Sequence, residues 1–180
     1  MKKGLILLNN KVEDVEALAT KALLERAGFK MTSFTLESKK EINTAYNQTI
    51  IVNYVIEEIT EKDYDFLVLP GGPHVFKNLE DKRLDSLILA FNKSNKLIAA
   101  ICAAPLFLNK LNLLENKTFT AYPEVVSQMS GKHLKDLKAA VSGNIITARS
   151  AGVVYDFVFE IIKYLEDSKT VENLKKSIVF

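Results

Sequence analysis

The only cysteine of the chain, Cys102, follows a stretch that is predicted to be a buried strand. Residues 97–101 are all apolar, as expected for a parallel strand that is covered on both faces. Ala100 and Ala104, two positions to either side, are small, and Pro105 can begin a helix because a first-turn residue has no amide hydrogen bond to lose. This pattern predicts a nucleophile elbow, a tight turn that lifts a reactive side chain above a sheet.

A cysteine in such a turn can act as a nucleophile. The positive end of the following helix is expected to lower the pKa of Cys102 and to favour the thiolate. The alternative is a small buried cysteine at the end of a strand, which composition alone would favour because free cysteine is usually a core residue. The elbow pattern favours the reactive thiol.

Glu16 is the second residue that could do chemistry. It lies near the start of a helix predicted over residues 12–27, just beyond the first strand, and Gly28 ends that helix. Glu16 falls at the border of the apolar stripe of the helix, which is formed by Val15, Leu18, Ala19, Ala22 and Leu23. Spacing alone favours the alternative, a charged residue that merely flanks the stripe.

Two further stretches follow the ends of predicted strands. Pro70, Gly71 and Gly72 come directly after residues 65–69, and paired glycines allow backbone amides to point into the space above a sheet. A plain turn is the alternative, but open α/β sheets bind ligands at this end of their strands. Tyr122 follows a short strand predicted to end at residue 121.

Strands alternate with helices along most of the chain. The predicted strands cover residues 4–8, 30–36, 49–52, 65–69, 97–101 and 119–121, with a hairpin at 139–141 and 144–148, and the predicted helices cover 12–27, 81–91, a segment from 105, 153–165 and 170–178. This order predicts an α/β fold with a doubly wound, mostly parallel sheet and helices on both faces, as in flavodoxin-like sandwiches. The carboxyl ends of parallel strands share one rim, so Glu16, Gly71, Gly72, Cys102 and Tyr122 are expected to meet there.

Length and composition exclude several classes of protein. A chain of 180 residues, 48% hydrophobic and 26% charged, predicts one globular domain over 1–180. A net charge of +2 gives no reason to expect a nucleic-acid partner. The apolar run 4–8 is too short for a signal peptide, and no stretch reaches the ~20 residues of a membrane span. A single cysteine cannot form an internal disulfide, so we expect a cytoplasmic protein with no membrane association.

The chain resembles the ThiJ/PfpI family, within the class I glutamine-amidotransferase-like superfold, and its protein deglycase branch in particular. Each motif is weak alone, but together they run in the family's order over nearly the whole chain. The residues that carry the resemblance are 13–16, 26–28, 64–65, 69–72, 99–105 and 146–149.

The resemblance implies roles for these residues. Cys102 would be the nucleophile and redox-sensitive thiol, and Glu16 a protonated carboxyl that hydrogen-bonds it. Burial beside the apolar elbow would raise the pKa of Glu16 and keep its proton available, which favours the functional interpretation of this residue. The amides of Gly72 and Ala103 would form an oxyanion pocket with Gly71 and Tyr122 beside it, and Arg26 and Arg149 would lie near an anion-accepting or dimer region. The resemblance also implies a homodimer that uses no cofactor and no metal.

Departures from the family pattern narrow the activity. The protease-like branch has histidine where this chain has Ala103, and the late His-x-Glu pair of the amidotransferases is missing because His133 is followed by Leu134 and Lys135. Neither activity is therefore expected. The deglycase branch often has histidine where this chain has Tyr122, so His74 is a candidate to replace that imidazole, although a surface loop position is the favoured interpretation.

Three functions remain open at this stage. The first is an enzyme acting on small reactive dicarbonyls or on early glycation adducts, through a hemithioacetal on Cys102. The second is a non-enzymatic redox sensor or chaperone, in which Cys102 is oxidised to a sulfinate. The third is a hydrolase that uses the same elbow on an unknown substrate.

Overall fold

A computed structural model describes all 180 residues, and its centre is a seven-stranded sheet. The sheet order is β10-β11-β7-β6-β1-β2-β5. These strands are β1 (Lys3–Leu7), β2 (Lys30–Thr35), β5 (Tyr54–Val55), β6 (Phe66–Leu69), β7 (Leu97–Ile101), β10 (Ala139–Ser142) and β11 (Ile145–Ala148). Short strands outside this sheet form two separate pairs: β3 (Glu41–Asn43) with β4 (Thr49–Ile51), and β8 (Thr118–Phe119) with β9 (Lys132–His133).

All neighbouring strands of the main sheet run parallel except β10, which pairs antiparallel with β11 as the predicted hairpin. Ala99 of β7 pairs with Val68 of β6 on one side and Ile146 of β11 on the other. The carboxyl ends of β1, β6, β7 and β11 therefore lie along one edge. The predicted doubly wound, mostly parallel sheet is confirmed.

Helices cover both faces of the sheet. They are α1 (Thr20–Arg26), α2 (His74–Asn78), α3 (Lys82–Lys93), α4 (Pro105–Lys110), α5 (Val154–Leu165) and α6 (Ser168–Ser177). Ala99 faces a core cluster that includes residues of α1, α5 and α6, whereas Ala100 faces a second cluster with residues of α3 and α4. This alternation along β7 is what a strand buried on both faces requires. None of the helices is long and apolar enough to cross a membrane.

Two predicted strands are wrong as members of the main sheet. Residues 49–52 form one arm of the small β3–β4 hairpin, and Ile51 there is exposed. Residues 119–121 contribute only Phe119 to β8, which pairs with β9. Apolar composition predicted a strand in each case, but it could not indicate that the partner lies outside the central sheet.

Candidate active site

Cys102 occupies the predicted elbow. Its φ is 66°, a left-handed conformation that a non-glycine residue rarely adopts. The turn is held on both sides, because Cys102 N donates to Ala148 O at 3.0 Å and Tyr122 N donates to Cys102 O at 2.9 Å. The strained backbone places the thiol, which is partly exposed, at the carboxyl end of β7.

Glu16 lies in the middle of a buried helix face. Residues Val15–Ala19 form a single turn of π-helix before α1 begins, a feature that is frequent at functional sites. Glu16 is 1% exposed, whereas Val15 is 49% and Leu18 37% exposed. The predicted inward stripe through Val15 and Leu18 is therefore wrong. Apolar residues occur on both sides of this helix, and the buried side is the one with Glu16 and the polar Thr20.

Three groups surround the Glu16 carboxyl. Gly71 N donates to Oε2 at 2.9 Å, the Ala151 N–H faces the carboxyl, and the Cys102 thiol lies within hydrogen-bond reach. Burial raises the pKa of Glu16 to about 7, and the nearby Glu13 charge adds to this, while the hydrogen bonds lower it in part. At neutral pH the Glu16 carboxyl therefore has a proton to give.

Burial also raises the pKa of the Cys102 thiol, and an ionised Glu16 raises it further, while the N–H groups of Ala103 and Gly72 lower it. The expectation that the start of the helix lowers the pKa of this thiol is wrong, because burial and the Glu16 charge outweigh the amides that face it. Two buried acids in contact titrate as a pair. When the pair holds one proton, the form with that proton on Glu16 puts the negative charge on the sulfur, where the amides of Ala103 and Gly72 face it.

The glycine turn fits closely against both acids. A Cβ on Gly71 would lie 2.6 Å from the Cys102 Cβ and 2.7 Å from Glu16 Oε2, so a side chain would separate the pair. Gly71, which was expected to lie beside the oxyanion pocket, donates its N–H to Glu16. Gly72, at φ +109°, and Ala103 are the residues whose amides face the sulfur.

His74 is not a surface residue, contrary to the favoured interpretation. It begins α2 and is 1% exposed, with Nε2 3.1 Å from Pro70 O. Burial lowers the pKa of His74 to about 4, so the ring is neutral at physiological pH. The ring makes no hydrogen bond to Cys102 and does not replace the missing imidazole as a proton carrier.

Tyr122 lies at the rim, close enough to Cys102 for a charge on the sulfur to raise the pKa of its hydroxyl, but the hydrogen bond of that hydroxyl goes to Glu124. Tyr122 Oη donates to Glu124 Oε1 at a long 3.4 Å. The Glu124 charge is the main cause that raises the pKa of Tyr122, so the hydroxyl stays protonated. The residue contributes to the site through its backbone N–H, which holds the elbow.

The two arginines lie in different places. Arg149 directly follows β11, whose last residue accepts the Cys102 amide, and its guanidinium has no hydrogen-bond or ion-pair partner in the chain. Arg26 is exposed at the far end of α1, about 15 Å along the helix from Glu16. The structure therefore brings Arg149 to the rim of the site and leaves Arg26 away from it.

Sequence reasoning missed Ala151 and the role of Glu13. Ala151 begins a short turn that leads into α5 and directs its N–H at Glu16, and Glu13 Oε2 accepts from Glu16 N at 2.6 Å. Both act through backbone amides, and a small apolar residue or a helix-start carboxylate carries no pattern that would reveal such a contact.

The fold and the site define a class of α/β proteins in which a cysteine at a nucleophile elbow pairs with a buried glutamate. The family model described as DJ-1/PfpI family matches residues 2–164. The chain belongs to this family, and the resemblance drawn from the sequence is confirmed.

Individual relatives agree with this assignment. Protein dj-1beta of Drosophila melanogaster is 28% identical over 99% of this chain and 97% of its own, and its crystal structure has a TM-score of 0.93. An uncharacterised protein of Staphylococcus aureus is 32% identical over 92% of this chain and 99% of its own length. The structure of oxidised DJ-1 from Toxoplasma gondii, at 22% identity, covers 100% of this chain and 99% of its own with a TM-score of 0.91, and it supports the fold.

The raised pKa of Glu16 predicts how stability depends on pH. Below pH 4.5 the carboxyl is protonated in both the folded and the unfolded chain. Between about pH 4.5 and about 7 the unfolded chain loses this proton while the folded chain keeps it, so the folded state becomes less stable as pH rises. Above about pH 7 both states have lost the proton and the stability that the protonated carboxyl gave is gone. Glu16→Gln is therefore expected to raise the free energy of unfolding at pH 8 by up to about 3 kcal/mol, and to change it little at pH 4.5.

Urea unfolding at the two pH values measures this difference. The control is Glu115→Gln, which removes an exposed carboxylate and is expected to change stability by less than about 0.5 kcal/mol at either pH. A Glu16→Gln variant that is less stable than the native chain at pH 8 contradicts the buried, proton-holding carboxyl.

Proposed function

We propose that this protein is a cysteine-dependent enzyme that acts without glutathione on small dicarbonyls such as methylglyoxal, or on early glycation adducts. The observation that supports this most is the contact between Cys102 and a buried Glu16 whose pKa is about 7. A nucleophile beside a group that can give and take a proton at neutral pH is what dicarbonyl chemistry needs.

The first step is addition to the aldehyde. In the form of the pair with one proton, on Glu16, the Cys102 thiolate forms a bond to the aldehyde carbon, and the electron pair of the C=O bond moves to oxygen. The N–H groups of Gly72 and Ala103, which face the sulfur, stabilise the developing oxyanion. Glu16 then gives its proton to that oxygen and a neutral hemithioacetal results.

The second step moves a proton between the two carbons. The Glu16 carboxylate takes the proton from the former aldehyde carbon, and the electron pair passes to the neighbouring ketone to form an enediolate. Return of this proton to the second carbon, with passage of the hydroxyl proton from the first oxygen to the second, gives a thioester. Water cleaves the thioester to a 2-hydroxy acid and the free thiol. The sum is dicarbonyl plus water to hydroxy acid, so no other reactant is needed.

A redox sensor or chaperone is the second candidate. The Cys102 thiol is partly exposed, and the same amides and a protonated Glu16 can hydrogen-bond a sulfinate. In that case peroxide would add two oxygens stably to Cys102 and no dicarbonyl would be consumed. A hydrolase using the elbow is a further alternative, and it would cleave an ester without converting methylglyoxal.

The assembly and location are part of the proposal. Val15 and Leu18 are exposed apolar residues of the π-turn. The β3–β4 hairpin is attached beside them, where Asp14 accepts hydrogen bonds from Thr44 Oγ1 and Tyr46 N. We propose that a second copy of the chain covers this surface. A reducing compartment, the cytoplasm, suits the single thiol.

Turnover of methylglyoxal to lactate tests the enzyme proposal. Cys102→Ala should abolish turnover, and Glu16→Gln should lower kcat by about 100-fold or more because the amide cannot transfer a proton. Alkylation of Cys102 by iodoacetamide should persist in Glu16→Gln, which shows that the thiol remains available. If Glu16→Gln turns over as fast as the native chain, the proposed proton transfer is wrong.

The pH profile tests whether the Cys102–Glu16 pair or the rim residue Tyr122 sets the pH dependence of turnover. We expect kcat/KM to rise as pH increases through about 7, because the Cys102–Glu16 pair then goes from two protons to the one that the mechanism uses. Because the Tyr122 hydroxyl is directed at Glu124, Tyr122→Phe should retain this limb and change turnover by no more than about twofold. If the rise in kcat/KM through pH 7 disappears in Tyr122→Phe, the titrating group is Tyr122 at the rim and not the Cys102–Glu16 pair.

Light scattering tests the homodimer. The native chain should have twice the monomer mass of 20.2 kDa at micromolar concentration, and Leu18→Lys should shift it toward the monomer because a charge would be buried in the contact. Leu89→Lys, on an exposed position of α3, is the matched control and should remain dimeric. A native chain of monomer mass contradicts the proposal.

A further inference from the structure

His74 is a buried polar residue that the proposed chemistry does not use. Its ring lies between the glycine turn and the elbow helix: Nε2 is 3.1 Å from Pro70 O, and the ring centre is 6.3 Å from that of Phe107 in α4. The other ring nitrogen, Nδ1, is buried and has no hydrogen-bond partner. Burying a polar nitrogen without a hydrogen-bond partner destabilises the folded protein, so filling space does not by itself explain a histidine here.

The contact with Pro70 fixes the tautomer. A carbonyl oxygen can only accept, so the proton of the neutral ring is on Nε2 and Nδ1 is bare. The low pKa of about 4 means that this tautomer persists across the physiological range. His74 is therefore a permanent hydrogen-bond donor to Pro70 O, and it does not carry protons.

The peptide that His74 holds is the one that contacts Glu16. Pro70 C=O and Gly71 N–H belong to the same planar peptide group, and the N–H donates to Glu16 Oε2 at 2.9 Å. The following N–H, of Gly72, faces the Cys102 sulfur. Fixing the Pro70 carbonyl therefore fixes the direction of the Gly71 N–H. The next peptide, which carries the Gly72 N–H, is also held by Glu13 N, which donates to Gly71 O at 3.0 Å, so His74 acts on the Gly72 amide through Gly71.

We propose that His74 is a positioning residue of the Cys102 site, which holds the Pro70–Gly71 peptide so that the Gly71 amide faces Glu16 and the Gly72 amide faces the sulfur. A donation to Pro70 O also polarises the peptide and strengthens the Gly71 N–H as a donor. The inference concerns the thiol itself, so it stands whether the protein turns over a dicarbonyl or senses oxidants.

Alkylation of the thiol measures the effect directly. The chain has one cysteine, so the iodoacetamide rate reports Cys102 alone at every pH. The other titratable groups that act on the pair are Glu13, beside Glu16, and Tyr122, beside Cys102, and both stay unchanged in the experiment. A loss of the two amide contacts should move the midpoint of the alkylation profile to higher pH, because both contacts favour the charged forms.

Three substitutions separate the hydrogen bond from the packing. His74→Phe keeps a ring and removes the donor, so the alkylation rate at pH 7 should fall about three- to tenfold, the usual worth of one hydrogen bond. The side-chain N–H of glutamine reaches the position of Nε2 and should restore the native profile. Asparagine places its N–H near Nδ1 instead, so His74→Asn should behave like His74→Phe.

The outcomes decide the proposal even where one variant fails to fold, because the glutamine and asparagine variants can be compared alone. A native profile in His74→Gln with a shifted profile in His74→Asn supports the positioning role. Equal profiles for these two variants, or a native profile in a folded His74→Phe, overturn it and leave His74 as a packing residue.

Discussion

The contact between the Glu16 carboxyl and the Cys102 thiol is the constraint on which the rest of the site depends. Both groups are acids, and burial opposes a charge on either of them. The pair is tolerated because backbone amides are directed at it from three turns: the glycine turn at Gly71, the elbow itself at Ala103, and the turn at Ala151. Each of these turns follows a different strand, so the parallel sheet is what allows them to meet at one edge.

The unusual backbone of the site needs a rigid support. Cys102 and Gly72 have left-handed φ values of 66° and 109°, and Glu16 is in a π-turn. Such conformations persist only where their surroundings determine them. Here β7, which ends at the elbow, is hydrogen-bonded on both sides and buried on both faces, so the strain at Cys102 is confined to a single residue.

The sequence predicted the parts of this protein that depend on local pattern. The apolar run before Cys102 and the small residues around it indicated the elbow, and the alternation of elements indicated the sheet and its common rim. The sequence could not predict which residues the folded chain brings into contact. The inward face of the first helix was misjudged because apolar residues flank both sides of Glu16, and His74 looked like a loop residue because its partner, the Pro70 carbonyl, has no sequence signal.

The electrostatics of the pair bear on the choice between turnover and sensing. An enzyme that moves a proton between two carbons needs an acid whose proton leaves and returns with similar ease, and this requires a pKa near the working pH. A sensor that only retains a sulfinate is best served by a carboxyl that holds its proton well above neutral pH. Burial raises the pKa of Glu16 to about 7, and the Gly71 and Ala151 amides oppose a further rise. In the proposed reaction, with His74 neutral and the Tyr122 hydroxyl bonded to Glu124, the proton would therefore be carried by the Glu16 carboxyl.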